Sequence, residues 1–232
     1  MKVVILAGGL GTRLSEYTKS IPKPMVKILN KPIIELIIKH YNKFGYNNFI
    51  IAGGYKYKQI KNYFEKNLIK VNVNVNVVNT GKKSMTGGRL ARLKKIIGNE
   101  RFLLTYGDGL SNINIKKLIH FHQKYKNIAT LTAVRPPARF GAIKVKNNKA
   151  ITFKEKSNID EGWINGGFFV CEPEIFKYLK NDQTILERKP LEIISQKKKL
   201  GAFKHYGFWQ CMDTKRDKEI LEKSIKQKKY II

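Results

Sequence analysis

The chain opens on a continuous apolar run, Val3–Ala7, that stops at glycines. A short unbroken run of this kind predicts a strand buried on both faces, as in a parallel sheet. From Pro32 the period changes. Ile33, Ile34, Ile37, Ile38, Tyr41 and Phe44 share one helical face, with proline in the first turn and Gly45 as the stop. Phe49–Ala52 predicts a second strand, and helical spacing returns over Gln59–Asn67. The segment "VNVNVNVV" at 71–78 alternates strictly, which predicts a strand with one wet face. Leu90, Leu93, Ile96 and Ile97 are again helical in spacing. A strand over Phe102–Tyr106, a helix over Ile115–Tyr125 and a strand over Ile128–Val134 complete the first half.

Strand and helix alternate through this half, which predicts a mostly parallel sheet flanked by helices. The second half changes character. Ala142–Val145, Ala150–Phe153 and Gly167–Cys171 read as short strands separated by turn residues. Helices are expected over Glu174–Leu179 and Glu187–Lys199, then a last strand leading into "FWQCMDT" and a terminal helix over 215–227. No repeat or low-complexity linker divides the chain. The expectation is one α/β domain over 1–232: a Rossmann-like, mostly parallel mixed sheet, with short antiparallel strands in its second half.

Composition narrows the class. No stretch approaches the ~18 apolar residues of a membrane span. Val3–Ala7 is too short for a signal-peptide core, so a cytoplasmic protein without membrane contact is expected. Cys171 and Cys211 are the only cysteines, too few and too distant for a disulfide framework or a metal site, and both read as reduced packing residues. Lys and Arg number 46 against 17 Asp and Glu, a formal charge of +29. Such a surface attracts polyanions. The lysines are nevertheless spread through the whole chain, which favours a solvated surface over one nucleic-acid patch.

The glycines after the first strand carry the first chemical signal. Gly8, Gly9 and Gly11 expose backbone N–H groups at the carboxyl end of a strand, where α/β sheets collect ligands. The chain lacks G-x-x-x-x-G-K-[ST], and Leu14 stands where the dinucleotide fingerprint needs its third glycine. Arg13 offers a fork for phosphate oxygens. Lys23 lies ten residues on, between Pro22 and Pro24, which should hold its backbone extended and its ammonium pre-positioned. Asp108 ends an apolar strand between two glycines, and Asp213 follows Trp209. Two such carboxylates suit Mg2+, which takes one or two carboxylates together with substrate phosphates. Asp108 also suits a turn, and Asp213 also suits a helix N-cap. His120 and His122 point to different faces of one helix and read as structural.

"LAGGLGTRL" with "PKPM" resembles the signature of the sugar-phosphate nucleotidyltransferases. "TGGRL" (86–90), "TYGDG" (105–109), "RFGAI" (139–143), "EK" (155–156), "WINGGFFV" (163–170) and "GFWQCMDTKRDK" (207–218) narrow the likeness to the glucose-1-phosphate cytidylyltransferases. The resemblance implies the nucleotide-diphospho-sugar transferase fold, with a nucleotide-binding half (1–135) and a sugar-phosphate-binding half (136–232). It implies transfer of a nucleotidyl group from CTP to glucose 1-phosphate, with Mg2+ as cofactor and a homo-oligomer as the assembly. Leu6, Ala7 and the loop Gly8, Gly9, Gly11, Thr12 and Arg13 would hold the triphosphate, with Arg13 on the leaving pyrophosphate and Lys23 near the α-phosphate. Thr86, Gly87, Gly88 and Arg89 would face the base and phosphates. Asp108 and Asp213 would hold the metal. Gly141, Glu155, Lys156, Asn165, Gly166 and Trp209 would form the sugar-phosphate side.

Three departures stand out. The connection between Asn67 and Val77 is shorter than is usual in the family, Ser157 replaces the proline after Lys156, and Cys211 replaces a proline beside Asp213. No catalytic group is lost. The competing expectations are a transferase using dTTP, UTP or GTP, a basic nucleic-acid-binding protein, and a non-catalytic protein of the same fold.

Overall fold

The computed structural model describes residues 1–71, 73–136, 142–154 and 162–227. Seven strands form the main sheet: β1 (Val3–Ala7), β2 (Asn48–Gly53), β3 (Asn74–Asn79), β4 (Phe102–Tyr106), β5 (Ala129–Val134), β6 (Ile164–Cys171) and β7 (Leu200–Lys204). Their order across the sheet is β7-β5-β6-β4-β1-β2-β3. Every neighbouring pair is parallel except those of β6, which runs antiparallel to β4 and β5. This is the mixed, mostly parallel sheet expected from the pattern. The reversed strand matters for function. It brings the start of β6 to the edge where β1 and β4 end.

Central β1 explains why its sequence is apolar without alternation. Val3, Ile5 and Ala7 enter one hydrophobic core, and Val4 and Leu6 enter another on the opposite face. The first core is closed by helix α1 (Ile33–Asn42), whose Ile33, Ile34, Ile37, Ile38 and Tyr41 are buried as the spacing requires. The second is closed by the helix Thr86–Arg92 and the turn Lys94–Ile97, through Leu90, Leu93 and Ile97. Further helices cover Ile115–Tyr125, Lys189–Gln196 and Lys215–Lys226. Among the described residues no helix is long and apolar enough to cross a membrane.

The structure corrects several boundaries. "VNVNVNVV" begins helical, because the helix Tyr57–Val71 runs into it, and pairs as a strand only from Asn74. Residues Pro173–Tyr178 form 3₁₀ turns and not an α-helix, a tighter winding typical of short connections. The next helix starts at Lys189 with Pro190 in its first turn, which leaves Glu187 outside it. Strand β6 extends back to Ile164 across an irregularity between Asn165 and Phe169, where the glycines break the alternation. Residues Ala142–Lys146 and Lys149–Lys154 pair as an antiparallel hairpin, as expected. Cys171 is buried and Cys211 half-buried, both as free thiols.

Candidate functional site

A cleft of about 610 Å³ opens where β1 and β4 end and β6 begins. Leu6, Ala7, Gly8, Gly9, Gly11, Thr12, Arg13 and Lys23 line one wall, and Asp108, Asn165, Trp209 and Asp213 line the other, with Thr86 and Arg89 at its side. Residues scattered over 200 positions of sequence therefore meet at one sheet edge.

The glycine loop leaves β1 and turns through Gly11, whose φ is +66°. A short 3₁₀ turn, Thr12–Leu14, then presents Thr12 and Arg13 outward and buries Leu14. Lys23 departs from expectation in backbone but not in placement. Pro22 is extended, yet Lys23–Met25 is a 3₁₀ turn closed by the Met25 N–H on the Pro22 carbonyl at 2.8 Å. Pro24 fits inside that turn because its position there needs no N–H donor. The turn aims the Lys23 ammonium inward, where the side chain is 12% exposed.

The two aspartates are brought together by a small antiparallel ribbon. Gly109–Ser111 pairs with Trp209–Cys211, Cys211 opposite Gly109, and the Met212 N–H donates to the Asp108 carbonyl at 2.8 Å. Asp108 and Asp213 thus flank one end of the ribbon. Lys23 Nζ lies 2.7 Å from Asp108 Oδ2 and 2.6 Å from Asp213 Oδ1, and Arg13 reaches Asp213 Oδ2 at 2.8 Å. Burial pulls the Lys23 ammonium down, but the two carboxylates together outweigh it and hold its pKa above the ordinary lysine value. Next to them, burial and the aspartates push the Cys211 thiol up to about 12, so it stays a thiol. The helix cap that Asp213 could have supplied belongs to Thr214, in a reciprocal capping box with Asp217. The Asp213 carboxylate is therefore left for the cleft.

A metal can be tested against this donor set. Among the described residues no three His, Cys, Asp or Glu side chains gather. Two carboxylates do converge, and a single cationic atom already touches both. That suits a hard cation completed by water and phosphate oxygens.

Arg89 is the main revision. It lines the side of the cleft, but its guanidinium is engaged largely with backbone. The residue is 5% exposed and donates to the Gly8 carbonyl at 2.8 Å, the Gly81 carbonyl at 2.6 Å and Thr80 Oγ1 at 3.0 Å. It braces the glycine loop against the segment after β3. Gly87 and Gly88 are revised with it. Both are buried, and a Cβ on Gly88 would meet the Asp182 backbone at 2.4 Å, so the space beside these glycines is taken by a neighbouring chain segment.

On the opposite side the "WINGG" segment becomes legible. Gly167 has φ +81°, and a Cβ there would meet the Tyr106 ring at 2.5 Å. The kink turns Asn165 into the cleft, where its Nδ2 donates to the Tyr106 hydroxyl at 3.1 Å. Trp209 Nε1 donates to the Gly166 carbonyl at 2.7 Å, which fixes the indole over the cleft. Gly141, Glu155, Lys156 and Ser157 lie outside the described residues. His122 is a buried structural group, bonded to Thr130 and Glu172.

The sequence reading missed Tyr106 and Glu187. Tyr106 Oη donates to Glu187 Oε1, and Thr86 Oγ1 donates to Glu187 Oε2 at 2.6 Å. No local signal marks Glu187, since its partners lie 81 and 101 positions away.

The chain is similar to known proteins over nearly its whole length. The nucleotidyl transferase family model matches residues 2–211. The glucose-1-phosphate cytidylyltransferase of Salmonella typhimurium is 46% identical over 243 residues, covering 96% of this chain and 95% of that protein. The protein of Bacillus subtilis named probable glucose-1-phosphate cytidylyltransferase is 42% identical, covering 92% of each. Among solved structures, HddC from Yersinia pseudotuberculosis superposes with a TM-score of 0.77 at 25% identity, over 97% of this chain and 99% of that one.

Proposed function

Because the chain belongs to the nucleotidyl transferase family, we propose that it joins CTP to glucose 1-phosphate, giving CDP-glucose and pyrophosphate. The observation that carries the proposal is the convergence of Lys23 and Arg13 with Asp108 and Asp213 at the mouth of the glycine loop. The reaction forms a bond between a sugar-phosphate oxygen and the α-phosphorus. It breaks the bond to the bridging oxygen, which leaves with its electron pair on pyrophosphate. Little covalent help is required of the protein, so positioning and charge stabilisation do the work.

The roles follow from placement. The N–H groups of the Gly8–Thr12 loop cradle the triphosphate at the end of β1. Arg13, its side chain 74% exposed, meets the leaving pyrophosphate. Lys23, charged at neutral pH, meets the α-phosphate. Asp108 and Asp213 hold the divalent cation with which this family works, and we assign it as Mg2+. When bound, the cation supplies neutralising charge to the phosphate oxygens. Asn165 and Trp209 form the sugar wall. Residues 1–135 thus serve the nucleotide, and 136–232 the sugar phosphate.

The test supplies glucose 1-phosphate and Mg2+ with CTP, dTTP, UTP, ATP or GTP in turn. The expected result is pyrophosphate and CDP-glucose in equal amounts with CTP, abolished by EDTA. Turnover with another nucleotide alone moves the base assignment and keeps the chemistry. No turnover with any nucleotide, across a panel of sugar 1-phosphates, overturns the proposal.

A further inference from the structure

We propose that Glu187 is a positioning residue that fixes the orientation of the Asn165 amide in the sugar wall, acting through the Tyr106 hydroxyl. The inference rests on Asn165 being a sugar contact, as proposed above. Its starting point is a chain of hydrogen bonds with only one consistent polarity. A carboxylate accepts at both oxygens and donates at neither. Tyr106 and Thr86 must therefore both donate to Glu187, as their distances and partners allow. The Thr86 oxygen accepts in turn from the Leu186 N–H at 2.9 Å.

With its one hydrogen committed to Glu187, the Tyr106 oxygen offers Asn165 only lone pairs. Asn165 then turns Nδ2 toward Tyr106, at 3.1 Å, which agrees with the obligate Gly167 N–H donor holding Oδ1 at 2.9 Å, so the relay secures the amide at its second end. The opposite amide orientation would set oxygen against oxygen at Tyr106 and N–H against N–H at Gly167, losing both bonds. The observed orientation leaves the second Nδ2 hydrogen for a ligand. The sugar side of the cleft consequently presents a donor, suited to a hydroxyl oxygen.

The Tyr106 ring holds the relay still. It is wedged against Gly167 and packs edge-on to Phe169, with ring centroids 5.9 Å apart. Glu187 itself is only half-buried and does not line the cleft, so it acts on the substrate through Tyr106.

Two variants test this. Tyr106→Phe keeps the ring and removes the relay. Glu187→Gln keeps the shape but puts an amide where two donors need acceptors. In wild type, turnover with CTP and glucose 1-phosphate first establishes the reading on which the inference rests. Its absence would count against that reading and not against the relay. Given turnover, each variant is expected to raise KM for glucose 1-phosphate about tenfold, the scale of one mismatched buried hydrogen bond. KM for CTP is expected to rise less than KM for glucose 1-phosphate, since Asn165 stands on the sugar side, although Glu187 also accepts from Thr86. A merely structural role would raise both constants together, and that result overturns the proposal. Unchanged KM for glucose 1-phosphate in either variant overturns it as well. If Tyr106→Phe fails to fold, Glu187→Gln alone decides by the same split.

Discussion

Lys23 stands where the chemistry of the cleft is most concentrated. Its ammonium sits between two carboxylates at 2.7 and 2.6 Å, the place a divalent cation held by both would need. A metal held there would therefore compete with the side chain for Asp108 and Asp213, and an arriving phosphate would give the ammonium another partner. Removing the ammonium should strip this competition away. Lys23→Met is expected to bind Mn2+ without nucleotide at least about tenfold more tightly than wild type, while its turnover falls about 100-fold, the scale of losing one such donor. Electron paramagnetic resonance of free Mn2+ reads the first effect, and an unchanged Mn2+ affinity contradicts it. Arg89 carries a second lesson at this scale. A sequence shows that an arginine is present, but whether it serves a ligand or the backbone depends on burial. Here its fork is spent on the Gly8 and Gly81 carbonyls.

The secondary-structure elements were the most legible part of the chain. The unbroken apolar run of β1 and the helix Ile115–Tyr125 followed from hydrophobic period alone, because both faces of the first and one face of the second are buried. Legibility failed where glycine or proline set the geometry. The Lys23–Met25 turn and the break in β6 have no hydrophobic period to read. It failed again where a site residue owes its place to a distant partner, as Glu187 does. The site aspartates could be named from their motifs, but their meeting depends on the ribbon Gly109–Ser111 with Trp209–Cys211. The helix Lys215–Lys226 anchors that ribbon. Thr214 caps it, and Asp217 accepts from the Asp213 N–H at 3.1 Å. Thr214→Ala is expected to cost about 1 kcal/mol of stability, the usual value of such a cap. It should also lower turnover, because the backbone carrying Asp213 loosens. Urea unfolding and steady-state assays check the two, and a stability loss with turnover intact would uncouple helix from site.

At the scale of the whole molecule, acid should weaken the fold before it reaches the carboxylates. Burial lowers the pKa of His40 to about 4, and it lowers those of His122 and His205 as well. The unfolded chain takes up protons on these groups from about pH 6.5, while the native chain does not, so stability falls as pH falls below that value. His40 alone should cost about 2 kcal/mol between pH 7.5 and pH 5. A urea midpoint that is the same at pH 7.5 and pH 5 would contradict this. The account as a whole rests on Asp108 and Asp213 serving catalysis across a cleft built from both halves of the chain. The most direct measurement of that claim is the turnover of Asp108→Asn with CTP, glucose 1-phosphate and Mg2+, on protein whose unfolding midpoint shows it to be folded. The account predicts a loss of at least about 100-fold, as expected when a group that holds transition-state charge is neutralised. Folded Asp108→Asn protein turning over within about threefold of wild type, which is far below that scale, would contradict it.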